Sequence, residues 1–515
     1  MARRKKIKEK IVLHPVMTFI FFIIITILLS GLLSLFNLSF AYNAISESRL
    51  EYVAASEAVN SLLNLSGIKY IFSNTVANFA NFTVLSHLII ILLGVGVMEY
   101  SGFLKTAVGF FTRKAKKNTF TYVIVLFSIV ASILGNLPFI AFIPLVGLIY
   151  KYGKRNPLTG IIASFAGMTC GYGLSLFLTS VDSSLADITM LSASLLDPAY
   201  SFKSFSMLFI MFVAIIILSF IITAIVEGYT VRKVPKYDFV DTEVLSDEPL
   251  TKAQQKGLLL ALFGSVAYLI IFIYNIIPGL PFSGNFLNYS ENLYIDKLFG
   301  AESFFANGFV FIITILFVIL GLLYGIGAKT IRNNREFVEA LGHSLNGIGK
   351  VLIYIFASAT FISIFKQTNL GNVIVAGLTK LVTDIGLSGI GLVIMLFVIT
   401  AVITLAVPGS TAKWSIMATS VVPAFLNAGM SAEFAQIIFR FGECVTIGLT
   451  PLFSYFIIYL AYLEKYNQEE NNMSIMSAVR YQIPYSLATA GVLLAILIIW
   501  YLVGLPLGIN GSIAI

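Results

Sequence analysis

Apolar residues fill this chain in long stretches, without the two-residue alternation of a half-buried strand or the one-sided stripe of a soluble helix. Val16–Leu35 contains no charged residue. Further runs of spanning length cover 83–103, 204–226, 257–278, 304–327, 346–366 and 484–504. About 20 residues of helix cross a bilayer, so each run predicts one transmembrane helix. Regions 120–150, 157–196 and 386–428 are too long for one crossing, and 430–463 is overlong with Arg440 and Glu443 in its middle. Regions 120–150 and 386–428 predict re-entrant hairpins, whereas 157–196 and 430–463 predict broken helices. The expectation is an all-α polytopic membrane protein of about nine transmembrane helices plus two opposed hairpins.

Composition agrees with this pattern. The 515 residues are 58% hydrophobic and only 11% charged, against about 25% charged in an ordinary soluble chain. The formal charge of +8 is dispersed in short clusters, which reads as membrane topology and not as nucleic-acid binding. With the N-terminus in the cytoplasm, segments 1–15, 104–119, 151–156, 227–256, 328–345 and 464–483 collect 24 of the 33 basic residues. The outer loops 37–82, 179–203 and 279–303 hold only Arg49, Lys69, Lys203 and Lys297. Val16–Leu35, which follows the first basic stretch, is expected to be a retained membrane helix, since no small-residue cleavage site closes the run. The expected organisation is a cytoplasmic segment 1–15, a first half 16–226, a cytoplasmic linker 227–256, a second half 257–504 and an outer C-terminus 505–515. Loop 37–82 is expected to hold short helices. Two cysteines and three separated histidines leave no disulfide framework and no zinc or haem site.

The halves repeat each other. Each hairpin has a helix-breaking tip, Gly135-Asn136-Leu137-Pro138 in one and Pro408-Gly409-Ser410-Thr411 in the other. Each is followed by a glycine-bounded interruption, Gly167–Gly173 and Gly442–Gly448. A single offset of 274 residues takes Asn136 onto Ser410 and Cys170 onto Cys444. Broken backbone at membrane depth is tolerated where it lines a cavity. Paired breaks of opposite orientation mark the binding site of inverted-repeat transporters.

Several polar residues fall in these regions. Arg440 and Glu443 are three apart, on one helix face, and ionised groups in a span pair or mark a pathway. Asp182 follows the first break. Trp414 offers a ring for an aromatic ligand, beside Lys413. Asn136, Ser410 and Thr411 supply oxygens near free carbonyls, with sodium as the candidate ion. Cys170, Cys444 and Tyr172 read as packing residues. No metal site beyond sodium and no other cofactor is expected.

The segments VPGSTAKWSIMATSVVPAF (407–425), FRFGECVTIGLTPLFSYF (439–456) and RNPLTGIIASFAGMTCGYGLSLFLTSVDSSLADIT (155–189) resemble the two repeat signatures of the p-aminobenzoyl-glutamate transporter (AbgT) family. The resemblance runs from the first span to the last. It implies nine helices, two opposed hairpins, an inner core for dimerisation and an outer core for transport. Its transport residues would fall on Asp182, Thr411, Trp414, Arg440, Glu443 and Pro451. The chain departs from the family pattern in carrying Glu443 for the usual Asp, Asn136 where the first tip commonly has Asp, and Ala432 in place of a proline.

The resulting expectation is a secondary active transporter of the bacterial inner membrane that moves a small organic anion with an aromatic or carboxylate-bearing group. The resemblance implies p-aminobenzoyl-glutamate, folate fragments or sulfonamide-like compounds, driven by a sodium or proton gradient. A dicarboxylate or short-chain fatty-acid carrier is the alternative. No nucleotide-binding motif and no catalytic constellation is present, so neither an ATP-driven pump nor an enzyme is expected. The implied partners are the anion, the lipid bilayer and a second copy of the chain, with no nucleic acid.

Overall fold

The computed structural model describes residues 13–46, 51–112, 116–176, 179–202, 205–239, 249–300, 303–470 and 472–514. The basic residues at 1–12 and 113–114, Arg49 and Lys203, all used for orientation, lie outside them. The chain begins with α1 (Pro15–Leu35), an antiparallel ribbon of β1 (Ser39–Ser46) and β2 (Glu51–Ala58), α2 (Leu65–Ala80), α3 (Thr83–Tyr100) and α4 (Phe103–Thr112). Next come α5 (Lys117–Val130), α6 (Pro138–Tyr152), α7 (Pro157–Cys170), α8 (Ser180–Ser194) and α9 (Leu208–Ile225), which runs through a π-turn into α10 (Val231–Lys233). The second half holds α11 (Lys252–Ile276), α12 (Tyr294–Phe299), α13 (Phe304–Ala328), α14 (Asn334–His343), α15 (Gly349–Gln367) and α16 (Leu370–Asp384). It ends with α17 (Gly389–Ala406), α18 (Ser410–Asn427), α19 (Ala432–Thr446), α20 (Phe456–Lys465) and α21 (Ile475–Val503).

Among the described residues, eight helices are long and apolar enough to cross a membrane. Seven match the unbroken spans expected from sequence, and the eighth, α17, is the first arm of the second hairpin. The overlong regions divide as their breakers require. Pro138 and Pro157 sit in the first turns of α6 and α7, where a missing N–H costs nothing.

Hairpin geometry is direct. Arg155 Nη1 donates to the Lys117 carbonyl at 3.0 Å, and Tyr150 and Thr121 hydroxyls meet at 3.2 Å. The chain therefore enters α5 and leaves α6 at the same end. At the second hairpin, Ser388 and Asn427 line one cleft together with Leu196, at the far end of α8. The base of the second hairpin thus lies beside the C-terminal end of α8. The repeat is equally direct, with Gly167 against Ser128 and the Val125 carbonyl, and Gly442 against Thr400 and the Phe397 carbonyl. These contacts pair the repeats by offsets slightly different from 274. The matching contacts relate the broken helices by 275 residues and the first hairpin arms by 272, because the segments between them differ in length. Cysteines placed singly at Lys117 and Lys154, with Cys170 and Cys444 replaced, should both resist impermeant thiol label applied to intact cells. Labelling of only one would place α5 and α6 on a through-path.

Two expectations are refined. Segment 37–82 is not a loop with helices alone. Phe40 and Tyr42 lie on one face of β1 and pack on the core, with Phe40 against Gly377 of α16, as the two-residue period of a strand allows. Nor does the C-terminus hang free. The Leu507 carbonyl accepts from the Phe209 and Ile210 amides at 2.9 and 3.1 Å, satisfying orphan donors at the start of α9. Ser431 donates through its amide to the Ile513 carbonyl at 2.7 Å.

Candidate functional site

The two helix breaks meet at Arg440. This residue lies in α19, a helix whose Ala432–Val445 stretch is wholly buried. Its Nη1 donates to Glu443 Oε2 at 2.8 Å and to Ser410 Oγ, at the second hairpin tip, at 3.2 Å. Its Nη2 donates to the Tyr172 carbonyl in the first break at 3.1 Å. Its Nε lies 3.2 Å from Asp182 Oδ1, an ion pair off the hydrogen-bonding axis. One guanidinium thereby ties a hairpin tip, both breaks and two carboxylates together, a use for which its planar fork suits it better than an ammonium.

The first turn of α8 positions Asp182. Thr179 caps that helix and Asp182 completes a capping box, with Oδ2 accepting from the Thr179 hydroxyl at 2.7 Å and from its amide at 3.2 Å. Ser175 adds a third donor at 2.7 Å. Helix N-termini stabilise carboxylates, and Asp182 is only 1% exposed. Close approach of the two breaks depends on Gly173. Its amide points at Cys444 Sγ, 3.1 Å away.

Glu443 has a second cation. Lys413 Nζ lies 2.8 Å from Glu443 Oε1 and donates to Thr404 Oγ1 at 2.8 Å, and both side chains of the pair are fully buried. Sequence reasoning noted Lys413 as the neighbour of Trp414 without giving it a role. The available signal was a lysine in the first turns of the apolar stretch that follows the Pro408-Gly409 break, where an ionised side chain has few inexpensive explanations.

Other expected site residues fall differently. Trp414 is enclosed, packed on Phe439 at 4.6 Å between ring centroids. Its Nε1 donates to Thr189 Oγ1 at 2.8 Å, and that hydroxyl donates to Gln436 Oε1 at 2.6 Å. The indole here joins α18 to α8 and α19. Thr411 is exposed, one residue round α18 from the buried Ser410. Ser410 Oγ accepts from Arg440 Nη1, so a guanidinium already sits on one of the three oxygens expected of a sodium site. Asn136 Oδ1 is buried without a hydrogen-bond partner. Pro451 stands in the second break, directly before Leu452. Ala432 donates its amide to the Tyr200 hydroxyl at 2.9 Å, a bond that a proline could not make.

Beside this cluster lies a cavity of about 390 Å³ where both tips and both breaks come to the surface. Asn136, Pro408, Gly409, Tyr172, Phe453 and Tyr455 line it, facing Phe365 and Lys366 of α15. Tyr172, read from sequence as packing, stands at the boundary. Arg440 Cζ sits 5.8 Å from its ring centroid, and Phe453 meets its ring edge at 5.9 Å. The site thus has a buried ionic side and an aromatic side open to the cavity. Among the described residues, no group of three or more His, Cys, Asp or Glu side chains could hold a metal ion.

Comparison with known proteins agrees over the whole length. The chain is 26% identical to the p-aminobenzoyl-glutamate transport protein of Escherichia coli (strain K12) over 498 residues, covering 96% of this chain and 93% of that one. It is similar to the solved MtrF of Neisseria gonorrhoeae, described with a class of antimetabolite efflux pumps, at 29% identity, 98% coverage of both chains and a TM-score of 0.49. The YdaH transporter of Alcanivorax borkumensis matches at 23% identity, with 96% of this chain and 100% of that one covered and a TM-score of 0.47. The model of the AbgT transporter family matches residues 6–515, and this chain belongs to that family of multi-pass membrane transporters.

Proposed function

We propose that this transporter moves a small organic anion bearing a carboxylate and an aromatic ring, such as p-aminobenzoyl-glutamate, by secondary active transport coupled to a sodium or proton gradient. The observation that carries the proposal is the position of Arg440, bonded to both breaks and one tip beside a cavity walled by Tyr172, Phe453 and Tyr455. A substrate carboxylate takes the place of Glu443 on the guanidinium in a bidentate pair, and its ring lies against Tyr172. Asp182 stays at the α8 N-terminus and orients Arg440. Trp414 and Pro451 shape the site from behind, through the Thr189–Gln436 bonds and the second break. Asn136 offers its free oxygen to a cation or to a substrate N–H. The name of the Escherichia coli relative supports the choice of cargo.

The reading extends to the membrane. The N-terminus is cytoplasmic, the two hairpins are re-entrant from opposite faces of a bacterial inner membrane, and two copies pair through an inner core of helices. Purified protein in proteoliposomes should accumulate radiolabelled p-aminobenzoyl-glutamate, in one direction, when a sodium or a pH gradient is imposed. Movement that follows neither gradient would reject secondary coupling. No movement of this compound, with a dicarboxylate carried instead, would reject the cargo.

A further inference from the structure

Four ionisable side chains, two acids and two bases, are enclosed together: Asp182, Arg440, Glu443 and Lys413. Their charges cancel. Arg440 is shared between two carboxylates and Glu443 between two cations, at 2.8 Å from each. Among the described residues Lys413 has no other carboxylate within ion-pair reach, and its remaining neighbours are the Thr404 hydroxyl and the face of Phe439, 5.5 Å away.

Packing does not require these charges. In the first repeat the places of Arg440 and Glu443 fall to Phe165 and Met168, 275 residues earlier and both fully buried. The same helix pair is thus built there from apolar side chains, which commonly replace buried ion pairs without loss of stability. A second cation on Glu443 needs another reason.

We propose that Lys413 is a positioning residue for ion coupling: it keeps Glu443 ionised until a substrate carboxylate takes Arg440, after which Glu443 turns to Lys413 and accepts one monovalent cation. The inference rests on the reading of Arg440 as the carboxylate site. An added carboxylate brings the enclosed sum to minus one, and an uncompensated charge at that depth costs several kcal/mol. Glu443 Oε2, released by Arg440, is the free acceptor. A proton from bulk water adds there to give a neutral carboxyl, or a sodium ion binds there as a counter-charge. Without Lys413 the core is one charge negative beforehand. Glu443 then holds its cation before substrate arrives, and binding recruits none.

The groups that face Glu443 are few. Lys413 comes from α18, Asp182 from α8 through Arg440, Tyr172 from the first break, and Arg440 and Cys444 from α19 itself. Helix α17 carries no ionisable residue and contributes Thr400 and Thr404. The ring that α21 sets against α19 is Tyr501, on Phe434, more than two turns from Glu443.

The test is binding of p-aminobenzoyl-glutamate to the purified full chain, along a pH series at fixed sodium and a sodium series at fixed pH. Wild-type affinity should change about tenfold per pH unit, or per tenfold change in sodium, along one axis, as expected for one linked ion. That axis names the ion. Lys413→Met should lose the slope, varying less than about twofold along both axes, and Lys413→Arg should keep it. The charge-balanced double variant Lys413→Met/Glu443→Gln should also be flat, and it carries the test if the single variant does not fold. A wild-type slope retained in Lys413→Met, or in the double variant where it stands in, overturns the proposal, as does a wild type flat on both axes. Absence of wild-type binding rejects the reading of Arg440 and this inference with it.

Discussion

Arg440→Lys should fold and insert yet lose nearly all transport. The lysine keeps one positive charge close to Asp182 and Glu443, so the enclosed sum stays zero and no carboxylate is stranded. What it loses is the fork. Arginine reaches Ser410, Glu443 and the Tyr172 carbonyl from two different nitrogens, whereas an ammonium gathers its donors at one atom. Each hydrogen bond to a charged group contributes about 1.5–3 kcal/mol. Loss of two such bonds to a substrate carboxylate weakens binding by roughly two orders of magnitude or more. The measurement is substrate affinity and flux for the lysine variant, with expression and melting temperature as controls. A well-folded variant with normal affinity and flux would reduce Arg440 to a structural tie between the breaks.

Gly173→Ala should damage the same site from the backbone. A methyl group there would sit 2.1 Å from the Arg440 carbonyl oxygen and 3.1 Å from Cys444 Sγ. The first obstacle is helix backbone, which cannot swing aside as a side chain can, so the two breaks must separate. Overpacking of this kind costs about 1–3 kcal/mol. The separation also stretches the bond from Arg440 to the Tyr172 carbonyl and opens the contact with Cys444. A lower melting temperature and a fall in transport of roughly tenfold or more are expected together. Gly228→Ala is the control, since nothing lies within 4 Å of its added methyl, and it should leave both measurements unchanged. Equal behaviour of the two variants would mean that the breaks are not held at contact distance.

Arg440, Glu443 and Asp182 were recoverable as candidates from the chain alone because ionised groups in apolar stretches have few inexpensive explanations. Asn136 and Ser410 were recoverable from the breakers around them. For Thr411 and Trp414 the chain gave a place along α18 and no direction around it. One residue is 100° of helix, enough to turn Thr411 outward while Ser410 stays buried. The ribbon at Ser39–Ala58 escaped notice because Phe40 and Tyr42 alternate for only a few positions, and its fold depends on α16 and α18 beneath it.

What the sequence by itself determined was the solvent and the breaks. A 20-residue apolar run has few stable fates other than a spanning helix, because its backbone must bond to itself where no water is present. Gly, Pro and Asn at fixed places dictate where that bonding stops. Tertiary structure alone decided the pairing: that Lys413 shares Glu443 with Arg440, that Asp182 turns inward from the cap of α8, and that Gly173 meets the Arg440 carbonyl. These contacts, with that of the Gly173 amide on Cys444 Sγ, join residues up to 271 positions apart. Local propensity carries no information about such distances. They follow from how two repeats of opposite direction close on one another, and in that closure the charges cancel.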